Sequence, residues 1–319
     1  MEVLDVAIVG GGPAGLSCAI EAGKHGLTSV VLDKGAVVDA IRRFPHALTF
    51  FSTPELLELG GIPFPSSGFR PTRVETLRYY QSVVRFFNLP VRTGEEVRAI
   101  RKAGATFEVV TSGQTFLARN VIVATGYFDT PNPFDVPGAH LPKVHRYYSE
   151  PFAYTGREVA VVGGKNSAVE IALDLFRHGA HVSLVHRGTA LSDGVKYWVL
   201  PDIENRIKNG EIKAYFGTEV GEIQPNTIVL KGRHKEEIPN DVLFVMIGYR
   251  PDNHLLEQVG VRIDPETLAP LHDSESMETN VMGLFVAGSI AAGKLNNKIF
   301  IENGRLHGKQ IMEAIEKAR

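Results

Sequence analysis

The stretch Val159–Arg187, VAVVGGKNSAVEIALDLFRHGAHVSLVHR, repeats the plan of Val6–Lys34, VAIVGGGPAGLSCAIEAGKHGLTSVVLDK, at one constant offset. Each copy opens on a short β-branched apolar run that ends at glycines, the pattern of a buried parallel strand entering a tight turn. Apolar and small residues then recur at helical spacing as far as Gly26 or Gly179, and a second apolar run closes the unit. Two strand–turn–helix–strand units commit the chain to an α/β fold with parallel sheets. A length of 319 residues accommodates two domains.

In the first copy Gly10, Gly12 and Gly15 form G-x-G-x-x-G, with Pro13 and Ala14 between the last two glycines. The first glycine makes the turn, the second lets backbone approach a pyrophosphate and the third lets helix pack on strand. Amides at the helix N-terminus then face the phosphate charge. Asp33, followed by Lys34, ends the second strand, where a carboxylate accepts from both hydroxyls of a ribose. Glycine-rich turns also occur for structural reasons alone, but inside a complete unit with the acid in place the motif reads as a dinucleotide cradle. The second copy keeps Gly163 and Gly164, continues with Lys165, Asn166 and Ser167, and puts Ala168 where the third glycine stood. Lys165 replaces the middle glycine, so its backbone faces phosphate only if that turn tolerates a side chain. His186 and Arg187 replace the acid and its lysine. A carboxylate would repel a 2′-phosphate whereas a guanidinium pairs with it in bidentate fashion, so the copy is expected to prefer NADPH to NADH.

Further strands end at glycine: Asn120–Gly126, with Ala124-Thr125-Gly126 at its end, Val242–Gly248, and Gly283–Gly288 followed by Ser289. Strand-ATG between the nucleotide units and GLFVAG after them resemble the two-dinucleotide-binding flavoprotein reductases of the thioredoxin reductase type, over essentially the whole chain. That resemblance implies two Rossmann-like domains, the NADPH domain inserted into the FAD domain: 1–150 and 271–319 for FAD, 151–270 for NADPH. It also implies that the two links between domains act as hinges. Thioredoxin reductases carry a C-x-x-C pair before the second glycine turn, because dithiol exchange needs an attacking and a resolving thiol. His145–Glu150 contains no cysteine, which excludes thioredoxin reduction by that route.

Four stretches are similar to a narrower family, the YpdA-type bacillithiol disulfide reductases: Thr49–Leu57 (TFFSTPELL), Gly163–Glu170 (GGKNSAVE), Trp198–Pro201 (WVLP), and Asn297–Gly304 (NKIFIENG) with His307-Gly308. The resemblance implies hydride transfer from NADPH to FAD and reduction of a small-molecule disulfide, in a homo-oligomer, dimer or tetramer. It implies that Asn297, Lys298 and Ile299 help hold the isoalloxazine; for Lys298 a surface ion pair is the equal alternative. Many members place a cysteine just before the third glycine, where Ala14 stands here. Cys18, four residues on, is roughly 6 Å further along the helix axis and reads as a small buried hydrophobe. An aspartate that related reductases place after GLFVAG is Ser289, so FAD binding is expected to lean on backbone amides and the helix that follows. Catalytic side chains stay unassigned.

Phe50, Phe51 and Ser52 either line the flavin or belong to the core, and Tyr127 either borders the acceptor site or braces a turn. Tyr197 and Trp198 either stack on adenine or cover a pocket. Two other function classes share the architecture: a ferredoxin or flavodoxin NADP reductase, and a flavin monooxygenase, whose F-x-G-x-x-x-H fingerprint is out of register around Gly138. A net charge of −2 points to no nucleic-acid partner. No apolar run reaches the ~20 residues of a membrane helix and no leader pattern opens the chain, so a cytoplasmic protein is expected. One cysteine excludes an intramolecular disulfide, and eleven histidines without metal-ligand spacing give no metal site.

Overall fold

The computed structural model describes residues 2–295 and 298–318. The chain divides into two compact units, and the second is inserted in the sequence of the first. One unit takes the chain up to Arg42, Thr49–Thr130 and the chain from Tyr249 on; the other takes Arg43–Leu48 and Pro131–Gly248.

The first unit is built on a seven-stranded sheet. Val3–Val9 lies at its centre, parallel to Ser29–Asp33 on one side and to Thr115–Val123 on the other. Val91–Thr93 extends the first side in parallel. Thr115–Val123 has two further partners: its first half carries the antiparallel strands Thr106–Thr111 and Val97–Ala103, and its last residues pair in parallel with Leu284–Val286. Strands buried on both faces must be apolar throughout, and Val6–Val9, Val30–Leu32, Val121–Val123 and Leu284–Val286 are all buried. The helices Pro13–Lys24 and His307–Lys317 cover this sheet with Cys18, Ala19, Ala22, Ile311, Met312 and Ile315. They approach closely because Gly308 meets Ser17, where a Cβ would come within 2.8 Å of backbone.

The second unit repeats the scheme in a five-stranded sheet of parallel strands, ordered Lys213–Phe216, His181–His186, Glu158–Val162, Val242–Val245, Val144–His145. Its central strand alternates faces with period two. Val159 and Val161 pack with Ala168, Ala172 and Leu175 of the helix Asn166–Arg177, while Ala160 packs with Val220, Ile228 and Leu230 of a three-stranded antiparallel sheet. The unit starts at Pro131, ahead of the 151 expected, because Val144–His145 pairs with Val242–Val245 and Pro137 accepts from the Ile223 amide. It ends at Gly248, ahead of 270, and the following helix His254–Gln258 packs on Val97–Ala103 of the first unit's sheet.

The repeat is exact in hydrogen bonding. Val6 pairs with Ser29 and Val159 with Val182, the same register at the same offset. Gly10 N donates to Leu32 O and Gly163 N to Val185 O; Ala124 N donates to Val9 O and Met246 N to Val162 O.

Candidate functional site

Gly10 turns the chain out of the first strand at φ +110°, a region closed to side chains, and a Cβ there would lie 2.4 Å from Ala124 O. Gly163 does the same at φ +144°, its Cβ position 2.5 Å from Met246 O. Gly15 is needed for contact: a Cβ would stand 1.9 Å from Gly10 O. Gly12 differs from both. It caps the helix in ordinary extended backbone (φ −75°, ψ 176°), and a Cβ on it would meet nothing within 4 Å. Protein packing therefore leaves open the space in front of this residue, as a cradle for a ligand requires. Lys165 occupies the same slot in the second unit at φ −110°, ψ −176°, backbone that any residue adopts, with its side chain in solvent. Asn166 does not face outward alone. Its side chain donates to Gly194 O and accepts from Lys196 N, tying the helix start to the 192–198 loop; Ser167 beside it is exposed.

The two corners diverge as their sequences do. Asp33 is half-buried, and its oxygens accept from the Gly11 and Gly35 amides at 2.7 Å each. Burial raises its pKa against the opposing pull of those two amides. A carboxylate with both oxygens so fixed keeps lone pairs for ribose hydroxyls. Lys34 bonds to Asp129, 2.9 Å away. His186, the counterpart of Asp33, lays its imidazole over Gly164 and Gly188, where Cβ atoms would come 2.4 and 2.6 Å from Nε2. Burial, then the neighbouring Arg187, lowers its pKa. The charge at this corner is therefore that of Arg187, which is exposed.

Around the first cradle the structure gathers the other expected residues of that unit. Ala124 is buried and Thr125 exposed, and a Cβ on Gly126 would lie 3.5 Å from Ser289 Oγ. Gly288 sits against Ala14: a Cβ there would come 2.8 Å from the Ala14 Cβ. Its amide is already used, donating to His307 Nδ1 at 3.1 Å. Gly288 thus offers close approach rather than a donor, and only a five-residue 3₁₀ turn, Gly288–Ala292, follows it. Ser52 is buried and hydrogen-bonded to Glu302. Phe51 is 60% exposed, so it does not belong to the core. Lys298 is exposed, and the Ile299 side chain lies 3.3 Å from the Cβ position of Gly304. Asn297 lies outside the described residues. Burial raises the pKa of Tyr127. Cys18 is fully buried, its thiol pushed up to about 12, chiefly by burial.

Three features escaped the reading of the sequence. His307 holds the Gly288 turn and is itself held down to about 4 by burial. Lys196, buried, pairs at 2.5 Å with Glu170, whose pKa burial raises. Arg305 Nη1 donates to Glu55 O and Glu58 O. Each joins segments distant in the chain, and no periodicity announces such a partner.

The chain matches the pyridine nucleotide-disulphide oxidoreductase family over residues 7–288. It belongs to that family. It is an oxidoreductase enzyme, and the family's cofactors are FAD and NADPH. The bacilliredoxin reductase Bdr of Bacillus subtilis (strain 168) is 45% identical to it over 313 residues, 97% of each chain. The bacillithiol disulfide reductase Bdr (YpdA) from Bacillus cereus superposes with a TM-score of 0.97 at 41% identity, covering all of both chains. Its counterpart from Staphylococcus aureus gives the same TM-score at 37% identity. The Gly12 opening and the Asp33 corner fit FAD, and the Gly163–Ser167 turn with Arg187 fits NADPH.

Proposed function

We propose that this protein uses NADPH to reduce a low-molecular-weight disulfide, bacillithiol disulfide, through bound FAD. The reading is carried by likeness to bacillithiol disulfide reductases along the entire chain, and the two nucleotide corners support it. FAD, when bound, supplies the two-electron redox chemistry that the side chains lack. Gly10 and Gly15 fix the turn, Gly12 leaves room for phosphate, and Asp33 orients a ribose. Arg187 selects the 2′-phosphate. Placement is the chain's catalytic contribution, since hydride transfer depends on near contact of the reacting rings. Cys18 is the only cysteine, and buried with its thiol protonated it has no part in exchange. The disulfide is therefore reduced without a protein thiol. A homo-oligomer and a cytoplasmic setting complete the proposal, supported by the family resemblance; light scattering on the purified protein tests the former.

Anaerobic stopped-flow mixing tests the acceptor. Protein pre-reduced with NADPH is mixed with bacillithiol disulfide, with a flavodoxin, or with oxygen. Rapid reoxidation by the disulfide supports the proposal. Rapid reoxidation by flavodoxin alone overturns it in favour of electron transfer to a protein, and a long-lived flavin hydroperoxide absorbance in favour of a monooxygenase.

A further inference from the structure

In the second unit the nucleotide corner is continued by a turn of the antiparallel sheet. The strand Lys213–Phe216 ends beside His186, with Phe216 paired to it in the parallel sheet. The next residue, Gly217, donates its amide to Gly188 O at 2.8 Å, and Gly217 O in turn accepts from the Arg233 amide at 2.9 Å. Arg233 follows the strand Thr227–Gly232, which pairs with Thr218–Ile223 and passes so close to Gly217 that a Cβ on Gly232 would lie 2.6 Å from Gly217 O. The position of a Cβ on Gly217 is 3.4 Å from the Arg233 Cβ and 3.7 Å from its Cδ, so the arginine stem runs along Gly217. Two hydrogen-bonded steps, each about 4.8 Å across as between strands, therefore separate Arg233 from the residue that follows Arg187.

The charges at this corner are unbalanced. Arg187 and Arg233 are both exposed, and among the described residues neither forms an ion pair. Cations beside Arg233 are paired: Lys231 lies 3.7 Å from Glu219, and His234 lies 3.8 Å from Glu236. A phosphomonoester carries about −1.5 to −2 charges near neutral pH, more than one guanidinium offsets. His186, the other member of the corner, has its ring in the glycine slot and its pKa lowered by burial and by Arg187. Lys165 caps the helix Asn166–Arg177, the place for a pyrophosphate rather than for a ribose phosphate. The second cation has to come from outside the repeated unit.

We infer that Arg233 is a second specificity-determining residue for the nicotinamide nucleotide: together with Arg187 it clamps the 2′-phosphate between two guanidiniums. Each guanidinium presents a planar fork that meets phosphate oxygens bidentately. Two like charges brought to one corner repel, and a phosphate relieves that repulsion where the hydroxyl of NADH does not. Arg233 holds the adenosine end of the nucleotide, so it takes no part in hydride transfer. The inference rests on the assignment of this cradle to NADPH and adds a residue that the duplicated unit does not contain.

Isothermal titration of the oxidised, FAD-loaded protein reads binding without turnover. The probes are 2′,5′-ADP and 5′-AMP, which share adenosine and the 5′-phosphate and differ in the 2′-phosphate. Arg233→Ala is expected to weaken 2′,5′-ADP about 10-fold and 5′-AMP less than about twofold. Arg233→Lys, which keeps the charge but loses the fork, should fall between wild type and Arg233→Ala. Lys235→Ala removes the same charge from an exposed position two residues along the turn and should change either probe less than about twofold. Equal losses on both probes, or none on either, overturn the inference. So does an equal loss in Lys235→Ala, which assigns the effect to the general field of a basic turn. A wild type that binds both probes alike overturns the NADPH assignment and Arg233 with it. A wild-type preference that Arg187→Ala lowers and Arg233→Ala leaves intact keeps that assignment and overturns only the role of Arg233.

Discussion

Gly12→Ala and Gly15→Ala separate ligand space from packing space within one turn. Gly12 has backbone that alanine adopts freely and an empty Cβ position. Replacing glycine by alanine at a helix N-cap costs about 0.5–1 kcal/mol, and the stiffer unfolded chain returns about 0.4–1 kcal/mol. Stability should stay within about 1 kcal/mol, a shift of melting temperature below roughly 4 °C. The new methyl group nevertheless stands where a pyrophosphate meets backbone, so FAD affinity is expected to fall at least about 100-fold, or about 2.8 kcal/mol at 1.4 kcal/mol per tenfold. At Gly15 the Cβ would lie 1.9 Å from Gly10 O, a backbone atom in a buried turn. Helix and turn must separate by more than about 1 Å, at a cost of roughly 3 kcal/mol or more, so the apoprotein itself should melt lower or fail to fold. Flavin fluorescence titration of apoprotein and thermal melts without FAD give both readings. Wild-type FAD affinity in Gly12→Ala, or an unchanged melt in Gly15→Ala, would refute the assignment of these glycines.

Arg187→Ala should raise the KM for NADPH about 10- to 100-fold while that for NADH changes less than about threefold, measured by flavin reduction. Lys196→Met leaves the Glu170 carboxylate buried without its cation, an expected loss of about 3–5 kcal/mol in denaturant melts. Because burial raises the Glu170 pKa, that loss should shrink as pH falls and the acid takes up a proton. His307, held down to about 4 from an ordinary 6.5, contributes stability that is full above about 6.5 and is lost as pH falls through about 4, roughly 3 kcal/mol in all. His307→Gln keeps an acceptor for the Gly288 amide and does not titrate, so its melting temperature should fall less than that of wild type between pH 7 and pH 4. Cys18→Ala should leave turnover unchanged, and in native wild-type protein Cys18 should resist alkylation until the protein unfolds.

The fold was legible because the duplicated unit is periodic and local: strand, glycine turn and helix follow one another within thirty residues, and both copies adopt one register. Their corners were legible for the same reason, since Asp33 and Arg187 stand at a fixed distance from their glycines. Long-range side-chain pairing was not. His186 stood with Arg187 as the pair replacing the acid and its lysine, yet glycines at 164 and 188 make a slot that takes its ring, and burial lowers its pKa. Gly288 looked like an amide donor, but His307, nineteen residues later, uses that amide. The path from Gly188 to Arg233 runs through two backbone hydrogen bonds of Gly217, which no pattern of hydrophobicity encodes. The inserted unit begins at Pro131 because a two-residue strand, Val144–His145, joins its sheet, and so short a strand leaves no periodic trace.

The most direct measurement is an anaerobic titration of the purified protein, followed through its flavin absorbance, with NADPH and with NADH. The account predicts a yellow protein, or a colourless one that turns yellow with FAD, bleached by NADPH at a concentration at least about tenfold below that of NADH. A protein that takes up no FAD, or that both nucleotides bleach alike, would contradict the assignment of one cradle to FAD and the other to NADPH.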